Sequence, residues 1–461
     1  MKRANTGKSQ ARSGKVRGRI HPAWLVFIGC LGFYSLVIGF LSNTAGNYYE
    51  PVMQETGWSR FEATIFTVIM PIVACACSPF SGKILNRFGP RTVLPACVIA
   101  FGIAYLLTAV TRGLWSWILF GVVYGATSSF IMYLAVPVLI NAWFAKRMGL
   151  LIGIVGASLS VCAAIASPLT TFLIGLLGWR CARVVMGVTV TALACAITVA
   201  CVRGMPDTLG VAPYGAEEDA SCNTRKRDAL RTRGARSDGA QPPQTVEARS
   251  EGVSAAQRAS AHADARGVEA SRAMRSPAFV LLLVSAGCFV MSATLCQQIA
   301  SFGAESPHIG AVAGAFAVSI VSSVAIFAKI FLGWVSDRYG ARVAARMGAG
   351  CGCMGALVML CASGVPAFFL GAALFGCGYS ALSVVNPLAT KDCFGPRDYT
   401  RIYARVTTAV FFFNAIGASA YAVIYDVTGS YAGMFVMVIA LYATAFLIVP
   451  LAISLGSKLW K

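Results

Sequence analysis

The sequence predicts an all-α membrane protein with twelve transmembrane helices in two pseudo-symmetric six-helix bundles. Three observations predict it. Of the 461 residues, 57% are hydrophobic and 12% charged, about half the charge of an ordinary soluble domain. Twelve mostly apolar stretches reach the ~20 residues a helix needs to cross the hydrocarbon core. A ten-residue pattern also occurs twice, at an offset of 251.

The elements follow in order. Seven Lys and Arg fall within the first 19 residues, which marks 1–20 as a basic tail. The stretches 23–47, 62–82, 92–111, 114–138, 148–175 and 183–203 build an N-terminal bundle over 21–203. Pro71, Pro79, Pro137 and Pro168 lie inside them, which lipid-embedded helices tolerate when neighbours satisfy the freed carbonyls. The first stretch follows a basic run, as a secretory signal would. It is too long for a signal's apolar region and eleven more spans follow it, so it is expected to remain as an anchor. Residues 204–275 break the pattern with 11 basic and 10 acidic residues, Pro242-Pro243 and no apolar run. That composition predicts a disordered linker, with the Arg225–Arg236 cluster as a candidate lipid contact. The stretches 277–301, 311–333, 343–363, 365–387, 402–425 and 431–455 then build a C-terminal bundle over 276–457, with Pro387 inside the tenth and 458–461 as a short tail.

The basic residues predict orientation. With a cytoplasmic N-terminus, 33 of the 38 Lys and Arg are cytoplasmic. Arg60, Arg112, Arg180 and Arg183 are then external, and Lys329 lies within a span. Both termini and the linker are therefore predicted to be cytoplasmic, in a multi-pass protein of the plasma membrane. The net charge of +20 follows these topology signals and forms no contiguous basic face, so nucleic acid is not an expected partner. The 16 Cys are scattered, and Cys75/Cys77 and Cys351/Cys353 lack companion ligands, so they are expected to be small buried side chains. Three His make a metal site or a His-based triad an unattractive reading. No phosphate-binding loop supports an ATP-driven pump, and neither an enzyme nor a cofactor is expected.

The repeat joins Gly82-Lys-Ile-Leu-Asn86-Arg87-Phe-Gly89-Pro-Arg91, after the second span, to Gly333-Trp-Val-Ser-Asp337-Arg338-Tyr-Gly340-Ala-Arg342, after the eighth. A weaker echo at offset 250 joins Pro137 to Pro387 and Phe144 to Phe394. Gly82 and Gly333 are expected to let two helices approach closely, and Gly89 and Gly340 to permit a tight turn. Asp337 and the Arg residues can cap helix ends. Two six-helix units repeated in this way suggest a transporter built around a midplane site.

The repeated G-x-x-x-D-R-x-G-x-R pattern resembles the signature loop of the major facilitator superfamily, with Asn86 where that family usually has Asp. Asn141-Ala-Trp143-Phe144-Ala-Lys146-Arg147-Met-Gly149-Leu-Leu-Ile-Gly153 is similar to a stretch of the oxalate/formate antiporter and monocarboxylate transporter group. Gly57-Trp58-Ser59, Gly178-Trp179-Arg180 and Tyr425-Asp426-Val-Thr-Gly429-Ser-Tyr431 fit the same group. The resemblance implies secondary transport of a small organic anion, a mono- or dicarboxylate, by a protein expected to be monomeric in the lipid bilayer. A proton or a counter-anion would be the coupled partner.

Lys329 is the one basic residue placed well inside a predicted span, eight residues before Asp337, or roughly 12 Å along the axis. It either snorkels to the near interface or faces a wet central cavity. The run Ala328-Lys329-Ile-Phe-Leu-Gly333 resembles the family segment in which an Arg meets the substrate carboxylate. Relatives carry an Asp where this chain has Ala325 and a Lys where it has Asn43, so no intramembrane proton relay is expected. The family's pore-facing helices make Asn43, Tyr124, Tyr133, Gln297, Gln298, Tyr379, Asn386 and Asn414 candidate substrate contacts. His308 is expected in an external loop, and Arg401 and Arg405 at the cytoplasmic end of the eleventh span. Export of a neutral or cationic molecule, or a non-transporting sensor on the same scaffold, remain the alternatives.

Overall fold

The computed structural model describes residues 21–110, 113–209, 211, 213–215 and 267–460. Among these, ten helices are long and apolar enough to cross a membrane. One of the ten, Met148–Cys201, is two spans joined at Gly178, where a φ of 75° and ψ of 160° turn the chain back. Tyr399–Thr428, polar at its start through Arg401 and Arg405, completes the twelve.

The first span is helical over Pro22–Tyr34, π-helical over Ser35–Ser42 and helical again over Gly46–Thr56. Ser59 begins the second, Arg60–Phe88, with a capping box: its hydroxyl accepts from the Glu62 amide while the Glu62 carboxylate accepts from the Ser59 amide at 2.8 Å. The third is Pro90–Val110, and the fourth is Leu114–Ile131 continued, after a break, by Ala135–Trp143. In the second bundle the seventh span is Pro277–Thr294, a 3-10 turn Leu295–Gln297 and Ile299–Glu305. The eighth is Ala311–Tyr339, the ninth Ala341–Leu360, the tenth Val365–Phe394 and the twelfth Ala432–Ser457. Small residues let these helices touch backbone to backbone. A Cβ on Gly378 would lie 2.4 Å from Gly352 Cα, across the ninth and tenth spans.

The structure corrects several expectations. The repeated motif is mostly helix and not loop, because both spans run on through Phe88 and Tyr339. Only Gly89 (φ 75°) and Gly340 (φ 89°) turn the chain, in a conformation that favours glycine. The linker expected over 204–275 is ordered at both edges. Tyr214 exchanges backbone hydrogen bonds with Trp143 and Ala145, the Val268 amide donates to the Phe394 carbonyl at 2.8 Å, and Ala270–Met274 is helical. The Arg225–Arg236 cluster and the tail 1–20 lie outside the described residues. Cys75, Cys77, Cys351 and Cys353 are half-buried free thiols, not buried ones. Arg183, expected to be external at the start of the sixth span, is inside the first bundle and 1% exposed.

Candidate functional site

The two bundles meet along two seams at the end of the molecule that carries the repeated motif. In one seam the second span faces the eleventh: the Ser78 hydroxyl donates to the Ala404 carbonyl at 3.0 Å and bonds the Thr407 hydroxyl at 2.6 Å. In the other the fifth span faces the eighth. There the Asp337 carboxylate accepts from the amides of Gly149 (2.7 Å) and Leu150 (2.8 Å), at the start of the fifth helix. Those amides have no intrahelical partner, and the positive end of the helix dipole favours an anion at that point. The hydrogen bonds that Cys75, Ser78, Asp337, Lys329 and Lys391 make between the bundles lie at the motif end or mid-span. Towards the opposite end Pro168, Thr171 and Phe172 of the fifth span and Ser319, Ser322 and Ser323 of the eighth are exposed. The seams are closed at the motif end and parted at the other.

Lys329 lies on the second seam, where the fifth and eighth helices approach closely. A Cβ on Gly153 would sit 2.3 Å from the Lys329 carbonyl oxygen, so the two backbones touch. From there the side chain extends away from the motif end. Its ammonium donates to the Gly156 carbonyl at 3.1 Å and to the Ser160 hydroxyl at 2.9 Å. Gly156 and Ser160 stand three and seven residues beyond Gly153, roughly 5 and 10 Å further along the helix. The side chain therefore runs towards mid-membrane and does not snorkel to the near interface. Lys329 is 5% exposed, and no ion pair joins it to a carboxylate among the described residues.

Beside it, a cavity of about 20 Å³, room for a single water, is lined by Tyr34, Tyr133, Pro137, Gly156, Ser383 and Tyr403 among others. Tyr133 is within electrostatic reach of Tyr34, Tyr124, Tyr379 and Tyr403, and the Tyr124 hydroxyl bonds the Ser42 hydroxyl. The breaks in the first and fourth spans, Ser35–Ser42 and Met132–Leu134, fall at this level. Such departures from regular α-helix are frequent at functional sites.

Of the residues predicted from sequence, the structure thus brings Lys329 and Tyr133 together on either side of Gly156, with Tyr124 and Tyr379 within electrostatic reach of Tyr133. It adds Tyr34, Gly156, Ser160, Ser383 and Tyr403. Asn386 is buried with its side-chain amide nitrogen unpartnered, while Asn414 and Gln298 are half-buried and Asn43 and Gln297 exposed. Among the described residues, no hydrogen bond joins any of these five to Lys329. Ser160 and Tyr34 were missed because a serine or tyrosine in an apolar run carries no signal of its own. Alignment of the two halves offers one: Lys329 falls on Ser78 at offset 251, and Gly156 on Thr407, and both pairs bridge a seam.

Fold and site together define a twelve-span membrane carrier with a polar centre between two facing bundles. The chain belongs to the Major Facilitator Superfamily, which it matches over residues 23–364 and again over 278–458. It is therefore a transporter of small molecules. None of the curated proteins compared with it matches its sequence. Its fold is similar to that of a proton:xylose symporter bound to 6-bromo-6-deoxy-D-glucose, at a TM-score of 0.64, 13% identity and 95% and 98% coverage of the two chains. It is also similar to the E. coli fucose:proton symporter (TM-score 0.64, 12% identity, 94% and 99% coverage). A structure of a transporter of that name in the outward conformation gives 0.61, at 12% identity and the same coverage.

Proposed function

We propose that the protein carries a small organic anion, a mono- or dicarboxylate, across the plasma membrane by alternating access, as an antiporter or a proton symporter. The observation that carries this reading is Lys329. Placing such a charge mid-span costs about 2.5–3.5 kcal/mol on insertion scales, and here it is met by one carbonyl and one hydroxyl rather than by a carboxylate. An incoming carboxylate would compete for the same ammonium and supply the missing negative charge. The tyrosine hydroxyls beside it can donate to the anion's remaining oxygens. The cavity is too small for any substrate in this conformation, so binding would draw Lys329 from Gly156 and Ser160 and loosen the seam that they close. Anion binding and bundle motion are thereby coupled through one side chain. The excess of basic residues at the motif end favours a cytoplasmic location for that end, both termini and the linker.

Reconstituted vesicles test this. Lys329→Gln should abolish uptake of carboxylates while the purified protein still folds, and Lys329→Arg should retain part of it with a changed mono- to dicarboxylate preference, since the guanidinium is a planar fork. Undiminished transport by the Gln variant would remove the anion reading. A thermal-shift screen in which sugars or amines stabilise the protein and carboxylates do not would replace it with another substrate class.

A further inference from the structure

Arg183 stands five residues past the Gly178 bend, near the outer end of the sixth span, and is fully enclosed. None of its three guanidinium nitrogens has a hydrogen-bond partner. Four rings surround it: its Cζ lies 4.3 Å from the Tyr105 ring centre, 4.7 Å from Trp117, 4.9 Å from Tyr48 and 5.8 Å from Phe120. The hydroxyls of Tyr48, Tyr105 and Thr170 are buried and unpartnered as well. Tyr48 lies beside Tyr105, Thr170 and Arg183 without meeting hydrogen-bond geometry with any of them. The first, third and fourth spans thus meet the sixth at one charged point within a single bundle, and Thr170 of the fifth joins them through Tyr48.

The rings offset only part of the cost. A cation–π contact attracts the charge but leaves each guanidinium N–H without an acceptor, and every buried hydrogen bond left unmade is costly. A guanidinium cannot shed its proton, so the charge stays. The carboxylate of Glu55 on the first span is engaged elsewhere, by Arg180 at 2.8 Å and by the Trp179 indole. What remains is a fixed positive charge, N–H donors that can accept nothing, and three neighbouring hydroxyls whose protons can turn towards an anion. A water could donate to the hydroxyl oxygens but would leave the charge unbalanced. A halide accepts from several donors at once, has no proton to place and cancels the charge.

We propose that Arg183, Tyr48, Tyr105 and Thr170 form a binding site for a small monovalent inorganic anion, a halide such as chloride, inside the first bundle. It shares no residue with the cavity at Lys329 and does not depend on the transport reading. Its occupation would fix the outer helix of the first span, Gly46–Thr56, through Tyr48.

The test is thermal unfolding of the purified full-length protein in sodium gluconate against sodium chloride or bromide at constant ionic strength, with diffraction from bromide-grown crystals. Halide should raise Tm saturably, and bromide should give an anomalous peak within hydrogen-bond distance of the Arg183 guanidinium. Thr170→Val, a near-isosteric change, should weaken the halide response roughly tenfold, the worth of one charge-assisted hydrogen bond. Arg183→Met should abolish it, and Lys329→Gln should leave it intact. Equal Tm in gluconate and halide, an unchanged halide response in Thr170→Val, or a peak at the site that bromide does not alter would each overturn the proposal. Thr170→Val decides the matter even if Arg183→Met fails to fold.

Discussion

The two seams between the bundles occupy equivalent positions and are closed by different chemistry. Gly82 packs on Thr400 and Gly333 packs on Gly149, and the offset of 251 carries Gly82 onto Gly333 and Gly149 onto Thr400. Arg147 and Asp398, which precede the fifth and eleventh helices, are the two non-glycine residues with positive φ (58° and 49°) among the described residues, and they too are related by that offset. On this shared frame the fifth–eighth seam carries a carboxylate on a helix start and a buried ammonium. The second–eleventh seam carries Asn86, which is exposed and makes no hydrogen bond among the described residues, and the neutral Ser78. Backbone geometry has stayed symmetric while charge has gathered on one side. The seam holding Lys329, the cation of the proposed transport site, is therefore the one closed by charged groups, and the other is closed by small neutral side chains.

The largest effect that could break this contrast comes from steric change. A Cβ on Gly333 would fall 2.1 Å from the Gly149 carbonyl oxygen, with backbone on both sides and nothing flexible to yield. On Gly82 it would meet the Thr400 carbonyl oxygen at 2.9 Å and the Ala404 methyl at 3.0 Å. Overpacking costs about 1–3 kcal/mol, so Gly333→Ala is expected to cut transport by roughly tenfold or more and Gly82→Ala by only a few-fold. Equal losses in a vesicle uptake assay would show that the two seams close with the same tightness.

Next in size is Asp337→Asn. The change removes the charge from a carboxylate that caps two helix amides, and hydrogen bonds to charged groups are worth about 1.5–3 kcal/mol. The population closed at the motif end should fall roughly tenfold. Spin-label distances across the opposite end would report it as a shift away from the parted state. Substrate affinity of the parted state should change little, because Asp337 lies at the end of the seam and not beside the cavity. An affinity collapse with normal turnover would move Asp337 into the substrate site.

These contrasts also mark how far the sequence could be read. The spans, the break into two bundles and the glycines of the repeat were legible because apolar length and a doubled motif are local signals. Lys329 was legible because a charge in an apolar run is expensive and stands out. Arg183 was not, although it is equally buried. It sits five residues past a bend, at the first position of the predicted sixth span, where a basic residue reads as facing the outside, and only the packed rings show that it is enclosed by the bundle. The amide candidates were chosen from their span alone, and a span does not say which way a residue faces. Asn43 and Gln297 accordingly turn out exposed, while Ser160, which holds the ammonium, lies in a run of small residues that reads as packing.

The smallest expected effect is the most direct repair of the asymmetry. Asn86→Asp restores to the second–eleventh seam the residue type that Asp337 supplies on the other. By the repeat, its carboxylate would approach the start of the eleventh helix near Thr400 and Arg401, as Asp337 approaches Gly149 and Leu150. A carboxylate at an exposed helix start stabilises by about 0.3–1 kcal/mol, so the motif-end-closed population should rise roughly two- to fivefold. Transport should slow by a similar factor, since release on that side requires the seam to open. The Arg401 amide already donates to the Asp398 carbonyl at 3.0 Å, which lowers the demand for a new cap and keeps the expected gain at the small end. High salt should erase the gain, because the new pair is exposed to solvent. A spin-label population that does not move at low salt would mean that the eleventh helix start is already fully satisfied. The asymmetry of charge would then be a consequence of that local turn and not of a division of labour between the seams.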